Sequence, residues 1–221
     1  MNPIAVIPRS TAHVFWRAVE RGAREGAKEA GVTMIWNGSL NEGDDDVTQQ
    51  IQIVQQFVSE GVSGIVLAPI DDTALRAPVA AAMRKEIPVV IVDSALKGEP
   101  LKDFVCTVST NNHRAGEIAG EHLGKLLDGK GKVVLFRFRR GSVSTGQREA
   151  GFLEAIKKFP DIQVIVDNRY SGTTISQAHS SALNMLDKLR EADGIFCSNE
   201  PSTLGMLRAL KQNNLASSRS S

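Results

Sequence analysis

The side chains best suited to chemistry stand just after strand-like apolar runs. Ile4-Ala-Val-Ile7 breaks at Pro8 and leads through Arg9, Ser10 and His13 to Phe15 and Trp16. Similar runs deliver Asp71 and Asp72, Asp93 and Ser94, Arg137 to Arg140, Asn168 and Arg169, and Asn199 and Glu200. Open α/β sheets bind ligands at the carboxyl ends of their strands. These groups are mostly hydrogen-bonding forks, and two aromatic rings stand beside them. A sugar suits such a mixture: its C–H faces stack on aromatic rings, and its neighbouring hydroxyls match carboxylate, carboxamide and guanidinium groups. Adjacent helix residues do not share a face, so one of Phe15 and Trp16 is expected to be buried and the other to face the ligand. Each residue also has a plainer reading, because helix caps and turns use the same types: Asp93 as a cap or loop brace, His13 as an exposed loop residue.

Rival chemistries fit less well. Gly141-Ser-Val-Ser-Thr-Gly146 has the spacing of a phosphate-cradling loop, but Gln147-Arg148 stands where that loop needs Lys followed by Ser or Thr. The basic turn Gly129-Lys-Gly-Lys132 precedes its strand and so lies at the wrong end of a sheet for ligand binding. No nucleophile elbow is present, the four histidines lack metal-ligand spacing, and neither cysteine is paired with a plausible base. Asp44 to Asp46 read as a helix N-terminus rather than a cation site. No catalytic residue, metal or cofactor is expected. Cys106 and Cys197, far apart in sequence, are expected to be reduced thiols.

The elements that must position these groups alternate along the chain. A helix with Phe15, Val19, Ala23, Ala27 and Ala30 as its stripe follows the first run, and one with Val47, Ile51, Val54 and Val58 starts at the three aspartates. Ile65-Val-Leu-Ala68 and Val89-Val-Ile-Val92 are continuously apolar, as parallel strands covered on both faces are. After the polar stretch Ser109 to Asn112 the rhythm restarts: a helix over 115–127 with Ile118, Leu123 and Leu126 inward, strands over 132–136 and 162–166, helices over 148–159 and 175–189, a strand over 194–197 and a helix from Ser202. Repeated βα units imply right-handed crossovers and a parallel sheet in each half. Domains are therefore expected over 1–109 and 110–215, with a disordered polar tail at 216–221. The 221 residues, 42% hydrophobic, can bury a sizeable core. The 26 basic against 25 acidic side chains leave no footprint for nucleic acid or an anionic membrane. The start, Met1-Asn-Pro-Ile4, has no basic stretch followed by an apolar one, so these residues are not expected to act as an export leader.

From Ile4 to Leu210 the chain resembles the periplasmic sugar-binding proteins of bacterial ABC importers, in the ribose-binding-protein-like group of the periplasmic-binding and lactose-repressor-like superfamily. The resemblance is carried by His13-Val-Phe-Trp16, Ile87-Pro-Val-Val-Ile-Val-Asp93, Arg148-Glu-Ala-Gly-Phe152, Gly194-Ile-Phe-Cys-Ser-Asn199 and Leu204-Gly-Met-Leu-Arg-Ala-Leu210. It implies an α/β fold of two Rossmann-like, periplasmic-binding-protein type I domains with parallel sheets flanked by helices. It implies a monosaccharide or polyol held by Ser10, His13, Phe15, Trp16, Asp93 and Ser94 from one lobe and Arg148, Thr173 and Asn199 from the other, with hinge closure read by a membrane permease. Ser94 replaces an arginine of ribose binders, and Thr173 falls near a position where they carry an aromatic, which points away from ribose itself. The resemblance further implies a periplasmic location, a monomer when full length, no nucleic-acid partner, and sheets both incomplete at the C-terminal end. Exposed apolar surface and weak or undetectable ligand binding are expected of the shortened chain. The same clamp also serves as the effector-sensing domain of lactose-repressor-like regulators and of sensory receptors, and that alternative stays open here.

Overall fold

Continuous apolar runs become parallel strands, and amphipathic stretches become the helices that cover them. The computed structural model describes residues 2–215, the side chain of Asp44 excepted. The chain divides into two compact units, Met1–Thr110 and a second that begins at Asn111. The tail expected to be disordered, 216–221, lies outside the described residues.

The first unit runs β1 (Ile4–Ile7), α1 (Val14–Glu29), β2 (Met34–Trp36), α2 (Asp44–Glu60), β3 (Gly64–Leu67), α3 (Arg76–Arg84), β4 (Val89–Val92) and β5 (Cys106–Val108). Its strands are all parallel in the order β2-β1-β3-β4-β5. The chain winds from β1 to β2 on one side and then back past β1 to β3, so the reversal of strand order falls at β1 and β3. Their carboxyl ends therefore open the natural crevice of this unit. Ile7, Leu67, Val89 and Ile91 of the sheet pack with Val54, Phe57 and Val58 of α2 and with Leu75, Val79 and Phe104. Helix α1 covers the other face loosely. Trp16 is its one buried residue, and Ala23 and Ala27 are too short to reach Ile4 and Val66, so an apolar gap of about 280 Å³ remains.

One buried amide ties the strand ends together. Gln50, on α2 and fully buried, donates to the carbonyls of Pro8 at 3.1 Å and Ala68 at 2.8 Å, and accepts from the Ile70 N–H at 2.9 Å. It thus fixes the segments that follow β1 and β3. Gln50→Leu keeps the volume but leaves three polar groups unmatched, and is expected to destabilise the first unit by about 1–3 kcal/mol in urea unfolding.

The second unit runs α4 (Asn112–Leu126), β6 (Lys130–Arg137), α5 (Val143–Ile156), β7 (Asp161–Tyr170), α6 (Ile175–Leu183), α7 (Leu186–Glu191), β8 (Gly194–Cys197) and α8 (Glu200–Gln212). Its parallel sheet has the order β7-β6-β8. Phe152 of α5 stacks on Phe196 of β8 at 4.3 Å between centroids. On the opposite face Met206 and Ala209 of α8 pack with Ala178 and Ala182 of α6. Among the described residues β8 pairs on one side only. A groove of about 1010 Å³ lined by Leu127, Phe196, Met206 and Leu210 runs beside it.

Three sequence expectations change here. Helix α4 buries Gly116, Gly120 and Gly124, while Ile118 and Leu126 are exposed. The reason is its partner: α4 lies directly on α5, and a Cβ at Gly116 would fall 1.9 Å from the Arg148 carbonyl oxygen. Backbones that close select glycine rather than a leucine stripe. The helix expected over 175–189 is two, broken at Asn184 and Met185. Strand β7 continues past Val166, pairing Phe136 with Arg169, so Asn168 and Arg169 lie within a strand rather than beyond it. Cys106 and Cys197 are free thiols in different units.

Candidate functional site

In the first unit the segments after β1, β2 and β4 meet. The loop after β2 is zipped to the one after β1: the Thr11 N–H donates to the Ser39 carbonyl at 2.9 Å, and the Ser10 hydroxyl to the Leu40 carbonyl at 2.8 Å. This pairing brings Glu42 against Arg9, with Nη2 2.8 Å from Oε2, both side chains buried. Arg9 Nη1 lies 3.8 Å from Asp93 Oδ2, and His13 Nε2 3.8 Å from Glu42 Oε1. Arg9, His13, Glu42 and Asp93 thus form one cluster of polar and charged side chains at the carboxyl edge of the sheet. Arg9, His13 and Glu42 are buried, so their mutual orientation is strongly determined, and Asp93 lies at the cluster's part-exposed edge.

Asp93 sits in a tight turn. Its φ is +64°, its N–H donates to the Val108 carbonyl at 3.0 Å, and the Ser94 N–H donates to the Val92 carbonyl at 2.7 Å. A non-glycine residue in the left-handed region is held there by its surroundings, and such strain gathers at functional sites. Ser94 is buried behind it. His13 occupies the N-cap position of α1 without capping it. Its Nε2 is buried and makes no hydrogen bond among the described residues. Of the aromatic pair, Trp16 is buried and Phe15 is 45% exposed, with the rings edge-on at 5.0 Å and 76°. Trp16 therefore packs edge-on against a ring that is only partly covered. Ser10 is fully buried and its hydroxyl also accepts from the Ala12 N–H at 3.1 Å, so it acts as a loop brace.

The second unit gathers its own set. Arg148, on α5, donates from Nε to Asn112 Oδ1 at 2.7 Å and from Nη1 to the Ser198 carbonyl at 3.0 Å. These bonds orient the guanidinium between the start of α4 and the end of β8. Beneath it Glu149 is buried, taking Arg137 Nη1 at 2.8 Å, the Phe138 N–H at 3.1 Å and the Ser198 hydroxyl at 2.9 Å. Asn199 caps α8 by accepting from the Ser202 N–H at 3.3 Å. Thr173 does not join Arg148 in a hydrogen bond; its N–H and hydroxyl go to Gln177 Oε1 at 2.8 and 3.3 Å.

Sequence reasoning missed Glu42, Asn112 and Glu149 and undervalued Arg9. A signal existed for Glu149, which precedes Phe152 and Ile156 by three and seven positions and so lies on the buried stripe of α5. Glu42 carried no such signal, because a carboxylate in a polar loop reads as solvated until the pairing of two loops is known.

Parallel sheets of this order, with such clusters at their carboxyl ends, define a ligand-binding α/β protein. The profile of the periplasmic binding protein domain matches residues 4–219, and the chain belongs to that family. It is 27% identical over 191 residues to the xylitol-binding protein of Mycolicibacterium smegmatis, covering 84% of this chain and 51% of that protein. The chain thus spans about half the length of this relative. The periplasmic component of an ABC-type sugar transport system from Hahella chejuensis superposes with a TM-score of 0.88 at 33% identity, over 96% of this chain and 76% of that one. An ABC transporter solute-binding protein from Agrobacterium vitis with bound D-fucose gives 0.86 at 30%, over 97% and 73%. These relatives are named as binding and transport proteins rather than enzymes.

Proposed function

We propose that the chain supplies the solute-binding component of a bacterial ABC sugar importer, taking a monosaccharide or polyol without chemical conversion. The observation that carries this reading is the cluster of Arg9, His13, Glu42 and Asp93 beside the exposed Phe15. A buried imidazole nitrogen with no hydrogen bond among the described residues matches a sugar hydroxyl, and the half-exposed Phe15 supplies aromatic surface beside it. In this reading Ser10, Trp16 and Ser94 shape the site from behind. Arg148 grips hydroxyls from the second unit, with Asn199 and Thr173 as flanking contacts. A sugar that engages both sets shifts the population toward a closed form, which a membrane permease reads from the periplasmic side.

The test is calorimetry and thermal shift with a panel of pentoses, hexoses and sugar alcohols that starts from xylitol and D-fucose, the ligands named for two relatives. Loss of a hydrogen bond to a charged group costs about 1.5–3 kcal/mol, so Asp93→Ala and Arg148→Ala are each expected to weaken the best ligand by roughly ten- to a hundredfold. Unchanged affinity in both variants removes these residues from the site. No stabilisation by any member of the panel, in this chain and in a version extended to the relatives' full length, removes the sugar-binding reading.

A further inference from the structure

The face where α4 meets α5, on the outside of the second unit, gathers three groups of metal-ligating type. His113 and Glu117 are one turn apart on α4, and Glu154 comes from α5. One imidazole nitrogen and one oxygen from each carboxylate fall within 4.8 Å of one another. The imidazole lies between the acids, with Nε2 3.2 Å from Glu154 Oε2 and Nδ1 3.8 Å from Glu117 Oε1. We propose that His113, Glu117 and Glu154 form a binding site for a divalent transition metal, zinc by preference, that staples α4 to α5.

The helix backbones beneath approach closely where the ligands stand. A Cβ at Gly151 would fall 2.0 Å from the His113 carbonyl oxygen, and one at Gly116 would fall 1.9 Å from that of Arg148. The two helix backbones are therefore in close contact, with Glu154 one turn beyond it. Bonds of about 2.0–2.1 Å in a tetrahedral shell place ligand atoms roughly 3.3 Å apart, so the site closes when exposed side chains move by about 1 Å. His113 and Glu154, 43% and 63% exposed, are free to do so.

The charges nearby support the donor set. Arg114 Nη1 holds Glu117 Oε2 at 2.9 Å, which leaves Oε1 turned toward His113. This hydrogen bond keeps the Glu117 carboxyl below the usual carboxylate range and orients it, as outer partners of metal ligands do. Lys158 is occupied by Glu121 at 2.9 Å. An imidazole nitrogen with two carboxylates favours zinc, nickel or copper over magnesium or calcium. Cys197 is a poor competitor for zinc, since burial pushes its thiol up to about 12 against a smaller opposing effect from Thr203. The sequence hid the site because its histidines are not spaced to pair with one another, and the third ligand comes from a different helix.

Zinc chloride titrated into chelator-treated protein is expected to give one site by calorimetry and to raise the thermal transition. His113→Ala is expected to lower the affinity more than about a hundredfold, and Glu154→Gln and Glu117→Gln about tenfold each. His122→Ala, another exposed histidine of α4, is expected to leave it unchanged. These side chains lie at the surface, so unaltered circular dichroism should show that the variants fold. Absence of zinc uptake by the parent protein, or equal uptake by His113→Ala, overturns the proposal and leaves His113 as an ion-pair partner alone.

Discussion

Glu149→Ala is expected to destabilise the second unit by about 3 kcal/mol, the lower end for breaking a buried ion pair because Arg137 keeps some exposure. Removal of the carboxylate strands three groups together: the Arg137 guanidinium, the Phe138 N–H and the Ser198 hydroxyl. Arg137 retains only its bond to the Asp167 carbonyl among those described for it. Glu149→Gln still offers one acceptor oxygen to the Phe138 N–H and Ser198, but it turns an amide toward Arg137, and should cost about half as much. The measurement is direct because both tryptophans, Trp16 and Trp36, lie in the first unit. Urea unfolding followed by far-ultraviolet circular dichroism should show the second unit's midpoint fall by roughly 1–2 M. The tryptophan fluorescence transition should stay in place. A dichroism midpoint within error of the parent would show that Glu149 does not hold the ends of β6 and β8 together.

The consequence reaches the candidate site. Glu149 fixes Ser198, the Ser198 carbonyl fixes Arg148, and Arg148 is the residue proposed to grip sugar hydroxyls. Loosening the first link should broaden the orientations of the last, since a site held by packing and secondary hydrogen bonds is only as well placed as its support.

What the sequence revealed follows from how local each signal is. Apolar runs such as Val89-Val-Ile-Val92 and the stripe Val54, Val58 of α2 depend on neighbours a few positions away, and they became β4 and the core-facing side of α2. The parallel α/β class followed from their alternation. Residues aligned with strand ends were also legible, and Arg9, His13 and Asp93 do converge. Illegible features depend on two distant segments at once. The inward face of α4 was read from Ile118 and Leu126, but contact with α5 places Gly116 and Gly120 there. Glu42 reaches Arg9 only because two loops pair through Ser39 and Leu40. No periodicity within either segment encodes such a meeting.

Arg9→Met is expected to destabilise the first unit by about 3–5 kcal/mol, the larger of the two effects, because both members of the Arg9–Glu42 pair are buried. The methionine replaces volume but leaves the Glu42 carboxylate in low dielectric, with the His13 ring 3.8 Å away as its nearest basic neighbour among the described residues. Glu42→Met removes the carboxylate 2.8 Å from Arg9, but Asp93 at 3.8 Å still faces the guanidinium, so its penalty should be the smaller. The double variant removes both charges and should recover most of the loss, since hydrophobic replacement of a whole buried pair is often neutral. Tryptophan fluorescence in urea reads all three. If the double variant is as stable as the parent, the pair does not exist for stability, and its purpose lies in holding Asp93 and His13 where a ligand needs them. Sugar affinity should then fall about tenfold or more in the double variant despite its restored fold. Parental stability together with parental affinity would show that the cluster positions nothing, and would move the candidate site away from the ends of β1 and β4.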